Sequence, residues 1–140
     1  MPVITLEDAN AYYHRVTPGG PEEAMQLVRL ERGFAVGRLA ISKLHMRPGN
    51  LISGPTQMTA ADSLSFMAIA SVKGLVDMMV TSNLSIDFLR PCIGEALEAE
   101  ARLLKAGRTL STAQVTIRGV GQDEPSAVSL VTYIMPPEKR

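Results

Sequence analysis

The pattern that offers most chemistry in this 140-residue chain is a glycine turn followed by one carboxylate. Gly54 stands in the run Ser53-Gly54-Pro55-Thr56, and Asp62 follows eight residues after the glycine in an apolar stretch. A helix that begins at such a turn leaves its first backbone N–H groups free to hold a developing oxyanion. A carboxylate can act as a general base or as a nucleophile. Together these groups are two of the parts that acyl-transfer chemistry needs.

The spacing of the two groups makes a prediction about assembly. Eight helical residues at a rise of ~1.5 Å separate Gly54 from Asp62 by about 12 Å. One carbonyl group cannot touch both within one chain. If both act on the same bond, they come from different subunits, so we expect a dimer with shared sites.

Several polar residues could have either a structural role or a role in catalysis or binding. Asp62 has apolar neighbours, and a buried carboxylate without a partner is costly, which favours function over a plain capping or surface role. Ser53 reads better as a helix N-cap than as a substrate contact, and no histidine is placed to make it a nucleophile. His14 is expected at the surface, and His45 lies in the loop before Gly54, from where its side chain could reach the site. Two isolated histidines make no metal site.

The composition excludes several classes of protein. Fourteen basic and fourteen acidic residues cancel, which argues against nucleic acid as a partner. No apolar run reaches the ~18–20 residues of a membrane span, and the N-terminal residues do not resemble a secretory signal. The single cysteine, Cys92, excludes an intramolecular disulfide and a cysteine-rich zinc site. A cytoplasmic protein with one domain over residues 1–140 is the natural expectation.

The hydrophobic pattern predicts a helix, two strands, a long buried helix and four more strands. The helices are predicted over 5–16 and 56–73, the second apolar on nearly every face. The strands are predicted over 24–31, 34–43, 78–89, 95–105, 110–118 and 127–135, with a loop over 45–55. Four consecutive strands with short turns indicate a mainly antiparallel sheet. We therefore predict the α+β class, with one helix inside a curved sheet.

The order and spacing of four segments resemble the hotdog-fold acyl-CoA thioesterases, in particular the PaaI-like branch. The resemblance spans about residues 22–136. The segments that carry it are 48–55 (PGNLISGP), 58–62 (MTAAD), 81–91 (TSNLSIDFLRP) and 98–108 (EAEARLLKAGR).

This resemblance implies roles for particular residues. The family has a His-Gly-Gly turn whose first glycine N–H polarises the thioester carbonyl, and an Asp or Glu eight residues later. Those positions are Gly54 and Asp62, and Thr81 falls near a family Ser/Thr that helps position water. The chain departs from the pattern in having Ser53 for the histidine and Pro55 for the second glycine, which leaves only the amides of Gly54 and Thr56 in the turn.

The substrate implied by the resemblance is an acyl-CoA, with no metal and no cofactor beyond the coenzyme A of the substrate itself. Arginine suits the phosphates of coenzyme A. The residues that we expect to contact substrate are Asn50, Ser53, Thr56, Arg47, Arg90 and Arg108, with Lys105 nearby. For each basic residue, an ordinary charged side chain at a strand end is at least as good an interpretation. Arg47 stands where the family often has an asparagine.

The implied activity is hydrolysis of the thioester to free acid and coenzyme A, by a homodimer or a dimer of dimers. A non-catalytic acyl-CoA binder or sensor on the same fold is the alternative, because the turn at Ser53 and Pro55 is altered. Hotdog hydratases use a histidine on the central helix, and neither His14 nor His45 is there. A Met- and Leu-lined pocket would accept medium aliphatic or aryl-acetyl groups equally well.

Overall fold

The computed structural model describes residues 1–42 and 45–137 and contains two helices and a curved antiparallel sheet. The helices are α1 (Leu6–Val16) and α2 (Gly54–Lys73). The strands of the main sheet are β1 (Gln26–Glu31), β2 (Phe34–Ala40), β5 (Val80–Phe88), β6 (Ala96–Ala106), β7 (Leu110–Gly119) and β8 (Ala127–Ile134). Two short strands, β3 (Met46–Arg47) and β4 (Leu51–Ile52), pair separately. The predicted class, α+β with an antiparallel sheet and a central helix, is confirmed.

Most element bounds lie within two residues of those that the hydrophobic pattern predicts, and three differences bear on the site. Strand β2 ends at Ala40, and the predicted end at Lys43 lies outside the described residues. Helix α2 begins two residues earlier than predicted, because Ser53 rather than a later residue caps it. The predicted loop over 45–55 holds the β3–β4 pair, whose turn uses positive φ angles at Gly49 and Asn50. Glycine and asparagine are the residues that tolerate that conformation best.

The main sheet is ordered β1-β2-β6-β7-β8-β5, and every neighbouring pair is antiparallel. Strand β8 lies inside the sheet, which agrees with its apolar sequence. Strand β5 is an edge strand that pairs only with β8 among the described residues. Its nine residues therefore present one row of backbone N–H and C=O groups with no strand beside it.

Helix α2 lies across the concave face of the sheet and supplies much of the core. Leu64, Met67, Ala68 and Ile69 are completely buried, and the helix packs mainly on β6 and β7. Gly74 ends it with a φ of 89°. The prediction of a buried central helix is thus confirmed. Among the described residues, neither helix has both the length and the apolar character that a membrane crossing requires.

Helix α1 is capped at its start, and its side chains fix it to the rest of the fold at two places. A capping box joins Thr5 and Asp8 at its start. The side-chain amide of Asn10 accepts from the Leu27 N–H at 2.7 Å and donates to the Leu27 carbonyl at 3.0 Å. The Tyr13 hydroxyl donates to the carbonyl of Ser63 on α2 at 2.8 Å. These bonds hold α1 over one side of α2, next to the predicted site.

Candidate active site

The start of helix α2 is built around the Ser53 side chain. Its oxygen accepts the Thr56 N–H at 3.2 Å, so Ser53 is the N-cap, as the ordinary reading of this residue predicts. The Ser53 and Thr56 hydroxyls are 2.8 Å apart, and the Thr56 hydroxyl donates to the His45 carbonyl at 3.2 Å. The Thr56 amide, which we predicted from the sequence to be available to an oxyanion, therefore already donates to the Ser53 side chain. Thr56 itself is buried and holds the loop against the helix.

Gly54 is left as the amide donor of this turn. Pro55 has no N–H, and the Thr56 amide is occupied. The Gly54 N–H stands in the first turn of α2, where helix amides lack partners and the helix dipole favours negative charge. A Cβ placed on Gly54 would lie 3.3 Å from Cζ of Phe88 on β5. The glycine thus allows the edge strand to approach the helix start closely.

The carboxylate of Asp62 is held through one of its two oxygens. Thr81 donates to Oδ1 at 2.6 Å, and Tyr133 donates to the same oxygen at 2.8 Å. No donor of the described residues binds Oδ2. Asp62 is half-buried on α2, so Oδ2 is the atom free to meet a substrate or a water molecule. The structure thus brings two predicted site residues, Asp62 and Thr81, into direct contact.

A β-bulge aims Thr81 at the helix. Leu84, Ile86 and Phe88 alternate onto the face of β5 that packs on α2, and simple alternation would place Thr81 on the opposite face. The register with β8 slips between Thr81 and Asn83, so one residue is inserted there. Because an extra residue reverses the side-chain alternation beyond it, Thr81 points to the same face as Leu84. The bulge therefore creates the Thr81–Asp62 hydrogen bond.

Tyr133 is a member of the site that the sequence did not indicate. It lies opposite Thr81 on β8, and burial raises the pKa of its phenol, with the Asp62 charge adding to the effect. A raised pKa keeps the phenol protonated, so it remains a donor. The Asp62 carbonyl is also 2.9 Å away, but it already accepts the Ser65 hydroxyl at 2.8 Å. The Tyr133 hydroxyl therefore donates its hydrogen bond to the charged carboxylate oxygen.

The two predicted reacting groups share one stripe of helix α2. Gly54, Met58 and Asp62 are spaced i, i+4 and i+8, which places them one above another on the same helical face. Gly54 lies beside Phe88, and Asp62 accepts a hydrogen bond from Thr81, so this face is turned towards edge strand β5. Met58, midway between the other two, keeps 41% of its surface exposed.

The predicted coenzyme A contacts divide into two groups. Arg47 and Arg90 line a cavity of about 310 Å³ together with Gly54 and Phe88. The Arg90 guanidinium donates to the Pro125 carbonyl, and it lies 3.4 Å from a carboxylate oxygen of Glu124. Two cations thus flank the start of α2.

The other predicted contacts lie apart from this cavity. Asn50 is exposed in the β3–β4 turn, and Lys105 and Arg108 are exposed at the end of β6 and in the turn that follows it. None of the three lines the cavity that contains Gly54. Their contact with a substrate remains a prediction that the site geometry does not support.

His45 contributes to the site through its backbone. Its carbonyl accepts the Ser53 N–H at 2.8 Å as well as the Thr56 hydroxyl. Its ring nitrogen Nδ1 accepts the Ser42 N–H at 3.0 Å, so a neutral ring carries its proton on Nε2, which is 3.5 Å from Glu23. This arrangement ties the loop before Gly54 to the helix start. His14 is exposed on α1, as expected.

Comparison with known proteins identifies the family. The model of a family described as the thioesterase superfamily matches residues 49–126, which is more than half of the chain. The chain belongs to the thioesterase superfamily. The matched range contains Gly54, Asp62 and Thr81, and the predicted resemblance to hotdog-fold thioesterases is confirmed. The protein is accordingly a thioester hydrolase.

Individual relatives of this thioesterase agree with that assignment. A solved structure of a candidate thioesterase from Silicibacter sp. TM1040 is 32% identical, covers 98% of this chain and 95% of its own, and superposes with a TM-score of 0.86. A candidate esterase from Saccharolobus solfataricus is 27% identical over 94 residues, 67% of this chain and 66% of that protein. The E. coli PaaI protein from the phenylacetic acid degradation operon, 20% identical with a TM-score of 0.73 over 93% of this chain and 92% of its own, shares the fold.

Proposed function

We propose that this thioesterase hydrolyses acyl-CoA thioesters to free acid and coenzyme A, in sites shared between two subunits. The observation that carries the proposal is the stripe of Gly54, Met58 and Asp62 on the face of α2 that is turned towards an edge strand. Among the described residues, the Gly54 amide at one end of the stripe has no hydrogen-bond acceptor, and Oδ2 of Asp62 at the other end has no donor. Their separation of about 12 Å is too large for one carbonyl to reach both within one chain.

A two-fold axis near Met58 would bring these groups together. In a symmetric dimer the same patch of each subunit faces its copy, so two α2 helices would run antiparallel with Met58 at the centre. Gly54 of one subunit would then stand level with Asp62 of the partner subunit. Helices in contact have axes about 8–10 Å apart, which leaves room for a thioester group between an amide and a carboxylate.

Strand β5 offers the second part of the dimer contact. Its free edge can pair with β5 of the other subunit and continue the sheet across the axis. Exposed apolar residues border this edge, with Val80 at 53% and Phe88 at 50% exposed. Burial of these side chains together with Met58 would stabilise the dimer by removing apolar surface from water. We propose a homodimer on this basis, and pairing of two dimers is compatible with it.

The proposed reaction uses each group once. The Gly54 N–H and the dipole of α2 stabilise the oxyanion that forms when the thioester carbonyl carbon is attacked. Asp62 Oδ2 of the partner subunit either removes a proton from the attacking water or attacks the carbon itself to give a mixed anhydride, which water then opens. Both routes release the thiolate of coenzyme A and the carboxylic acid. Water and the thioester are the only reactants, so the reaction calls for no metal or redox cofactor.

The cations beside Gly54 suit the coenzyme A portion of the substrate. Arg47 and Arg90 line the cavity at the start of α2, where the thioester would be held. Guanidinium groups bind phosphate oxygens in pairs of hydrogen bonds, so these residues can hold the diphosphate of coenzyme A. We place the protein in the PaaI-like branch on the resemblance of its motifs, with Thr81 supporting Asp62.

One observation favours the alternative of a non-catalytic acyl-CoA binder. Pro55 removes one donor from the turn and the Ser53 cap occupies the Thr56 amide, so a single amide remains for the oxyanion. An acyl-CoA could bind at such a site without efficient turnover. Release of free thiol from a panel of acyl-CoAs separates the two functions, because an enzyme turns over the esters and a sensor binds them without release.

The Asp62→Asn variant tests the proposed chemistry. It keeps the size of the side chain and loses the base, so we expect turnover to fall ~10²-fold or more while acyl-CoA binding is retained. Asp87→Asn is a matched control, because Asp87 lies on β5 on the face opposite the one that packs on α2. Near-normal turnover by Asp62→Asn would remove this carboxylate from the mechanism.

A further inference from the structure

Two neighbouring cavities lie between helix α1 and the side of helix α2. The first, which we call the Asp62 cavity, has a volume of about 260 Å³ and contains Asp62 in its wall together with Tyr12, Phe66 and Tyr133. The second, which we call the inner cavity, has a volume of about 400 Å³. Its lining is mixed: Met25, Leu39 and Ala60 supply apolar surface, and Glu23 and His45 supply polar groups.

Aromatic side chains form a large part of the wall of the Asp62 cavity. Tyr12 stacks on Phe66 with ring centroids 5.3 Å apart, and Phe66 meets the edge of Tyr133 at 5.8 Å. Stacked and edge-on arrangements are the favourable geometries for aromatic pairs. The chain has only six aromatic residues, and all three tyrosines and one phenylalanine line this single cavity. Its apolar surface lies directly beside the carboxylate that is proposed to act on the thioester, either as a base or as a nucleophile.

Tyr13 separates the two cavities. Tyr13, Thr17, Thr59 and Ser63 line both of them, so these residues form the shared wall. The Tyr13 ring is 4% exposed, and its hydroxyl crosses from α1 to the Ser63 carbonyl on α2 at 2.8 Å. Burial raises the pKa of this phenol, so it stays a donor to that carbonyl. Since the bonds of Asn10 to Leu27 also fix α1, the wall does not depend on a bound ligand for its position.

We propose that the Asp62 cavity receives the acyl group of the thioester and that Tyr13 ends it, which makes Tyr13 a determinant of acyl length. This inference rests on the proposed function, because it places the acyl group next to Asp62. An apolar cavity of ~150 Å³ in another protein holds one benzene molecule. By that measure about 260 Å³ suits an apolar acyl group of up to roughly ten carbon atoms. Longer chains would need the inner cavity, which Tyr13 closes.

The test compares hexanoyl-, octanoyl-, dodecanoyl- and hexadecanoyl-CoA as substrates of the full chain. We expect kcat/KM of the wild type to decline beyond about ten carbons. Tyr13→Ala opens the wall, so the ratio of kcat/KM for dodecanoyl- over hexanoyl-CoA should rise at least ~10-fold, since each buried methylene is worth roughly fourfold. Tyr13→Phe keeps the ring and loses only the hydroxyl, and it should keep the wild-type profile.

A second substitution links the gain to the inner cavity. Ala60 lines that cavity and not the Asp62 cavity, so Ala60→Leu added to Tyr13→Ala refills the opened space and should return the profile to short chains. If Tyr13→Ala does not fold, as judged by its circular dichroism, Tyr13→Leu takes its place with a smaller shift expected. Stabilisation by dodecanoate gives a readout besides activity: it should raise the melting temperature of the opened variant more than that of the wild type.

Two failures are distinguishable. An unchanged length profile in a folded, active Tyr13→Ala or Tyr13→Leu variant would overturn the assignment of the acyl group to this cavity. An equal shift in Tyr13→Phe would overturn the role of the ring as the wall. If the wild type releases thiol from no acyl-CoA of the panel, the proposed function fails and this inference fails with it.

Discussion

Removing the Tyr133 hydroxyl isolates one support of the Asp62 carboxylate. Tyr133→Phe keeps the ring, its edge contact with Phe66 and its position on β8, and deletes only the 2.8 Å donor to Oδ1. Thr81 remains as the second donor at 2.6 Å. The change therefore loosens the carboxylate without removing it.

The expected magnitude follows from the kind of bond that is lost. A hydrogen bond to a charged group contributes about 1.5–3 kcal/mol. If the carboxylate must be held in one orientation to react, loss of this bond raises the activation free energy by the same amount, and kcat should fall by ~10- to ~150-fold. The substitution keeps the ring in the wall of the Asp62 cavity and removes only a hydroxyl that is bonded to Asp62, so KM should change little.

The assay is thiol release from octanoyl-CoA, with kcat and KM determined separately. Tyr12→Phe is the matched control, because Tyr12 lines the same cavity and its hydroxyl makes no bond to Asp62. The control should stay within about twofold of the wild type, as a change that leaves the transition-state contacts intact does. A kcat for Tyr133→Phe equal to that of Tyr12→Phe would refute the idea that Tyr133 orients Asp62.

Three further predictions concern helix α2. Gly54→Pro deletes the proposed oxyanion donor, and the start of a helix tolerates proline, so kcat should fall ~10²–10³-fold. Gly54→Ala is the control: it adds a Cβ next to Phe88 as proline does but keeps the N–H, so kcat should fall far less. Met58→Lys places charges of equal sign at the proposed axis, so sedimentation should show more monomer and activity should fall with it. Ser53→Ala removes the helix cap and should lower the free energy of unfolding by about 0.5–2 kcal/mol in urea titrations. A dimeric, active Met58→Lys variant, or an unchanged stability for Ser53→Ala, would contradict the respective argument.

The fold could be predicted from the sequence because its elements carry strong local signals. Helix α2 is apolar on nearly every face and ends at Gly74, and the strands alternate in the expected way. The pattern of Gly54 and Asp62 likewise led to the residues that the structure places on one helical face. Both predictions rest on helix and strand periodicities, which are visible within short stretches of sequence.

The rest of the site depends on contacts that no local pattern encodes. The Thr81 side chain reaches Asp62 only because a bulge reverses the alternation of β5, and a bulge depends on the register with β8. Tyr133 reads as an ordinary apolar strand residue until β8 is placed opposite Thr81. The hydrogen bond from the Thr56 amide to Ser53 is the exception. It follows from a local rule, because an N-cap serine is expected to accept an amide two or three residues ahead.

The shared site is tested most directly by mixing two inactive variants, Gly54→Pro and Asp62→Asn. In a heterodimer one composite site carries both substitutions, and the other combines the intact Gly54 and the intact Asp62 from different subunits. With random pairing, half of the dimers are heterodimers with one working site of two, so about a quarter of the wild-type activity should return. Co-expression with two different tags allows the heterodimer to be purified and its composition verified. Recovered turnover in that species is the predicted result, and a verified heterodimer as inactive as its parents would contradict the shared site.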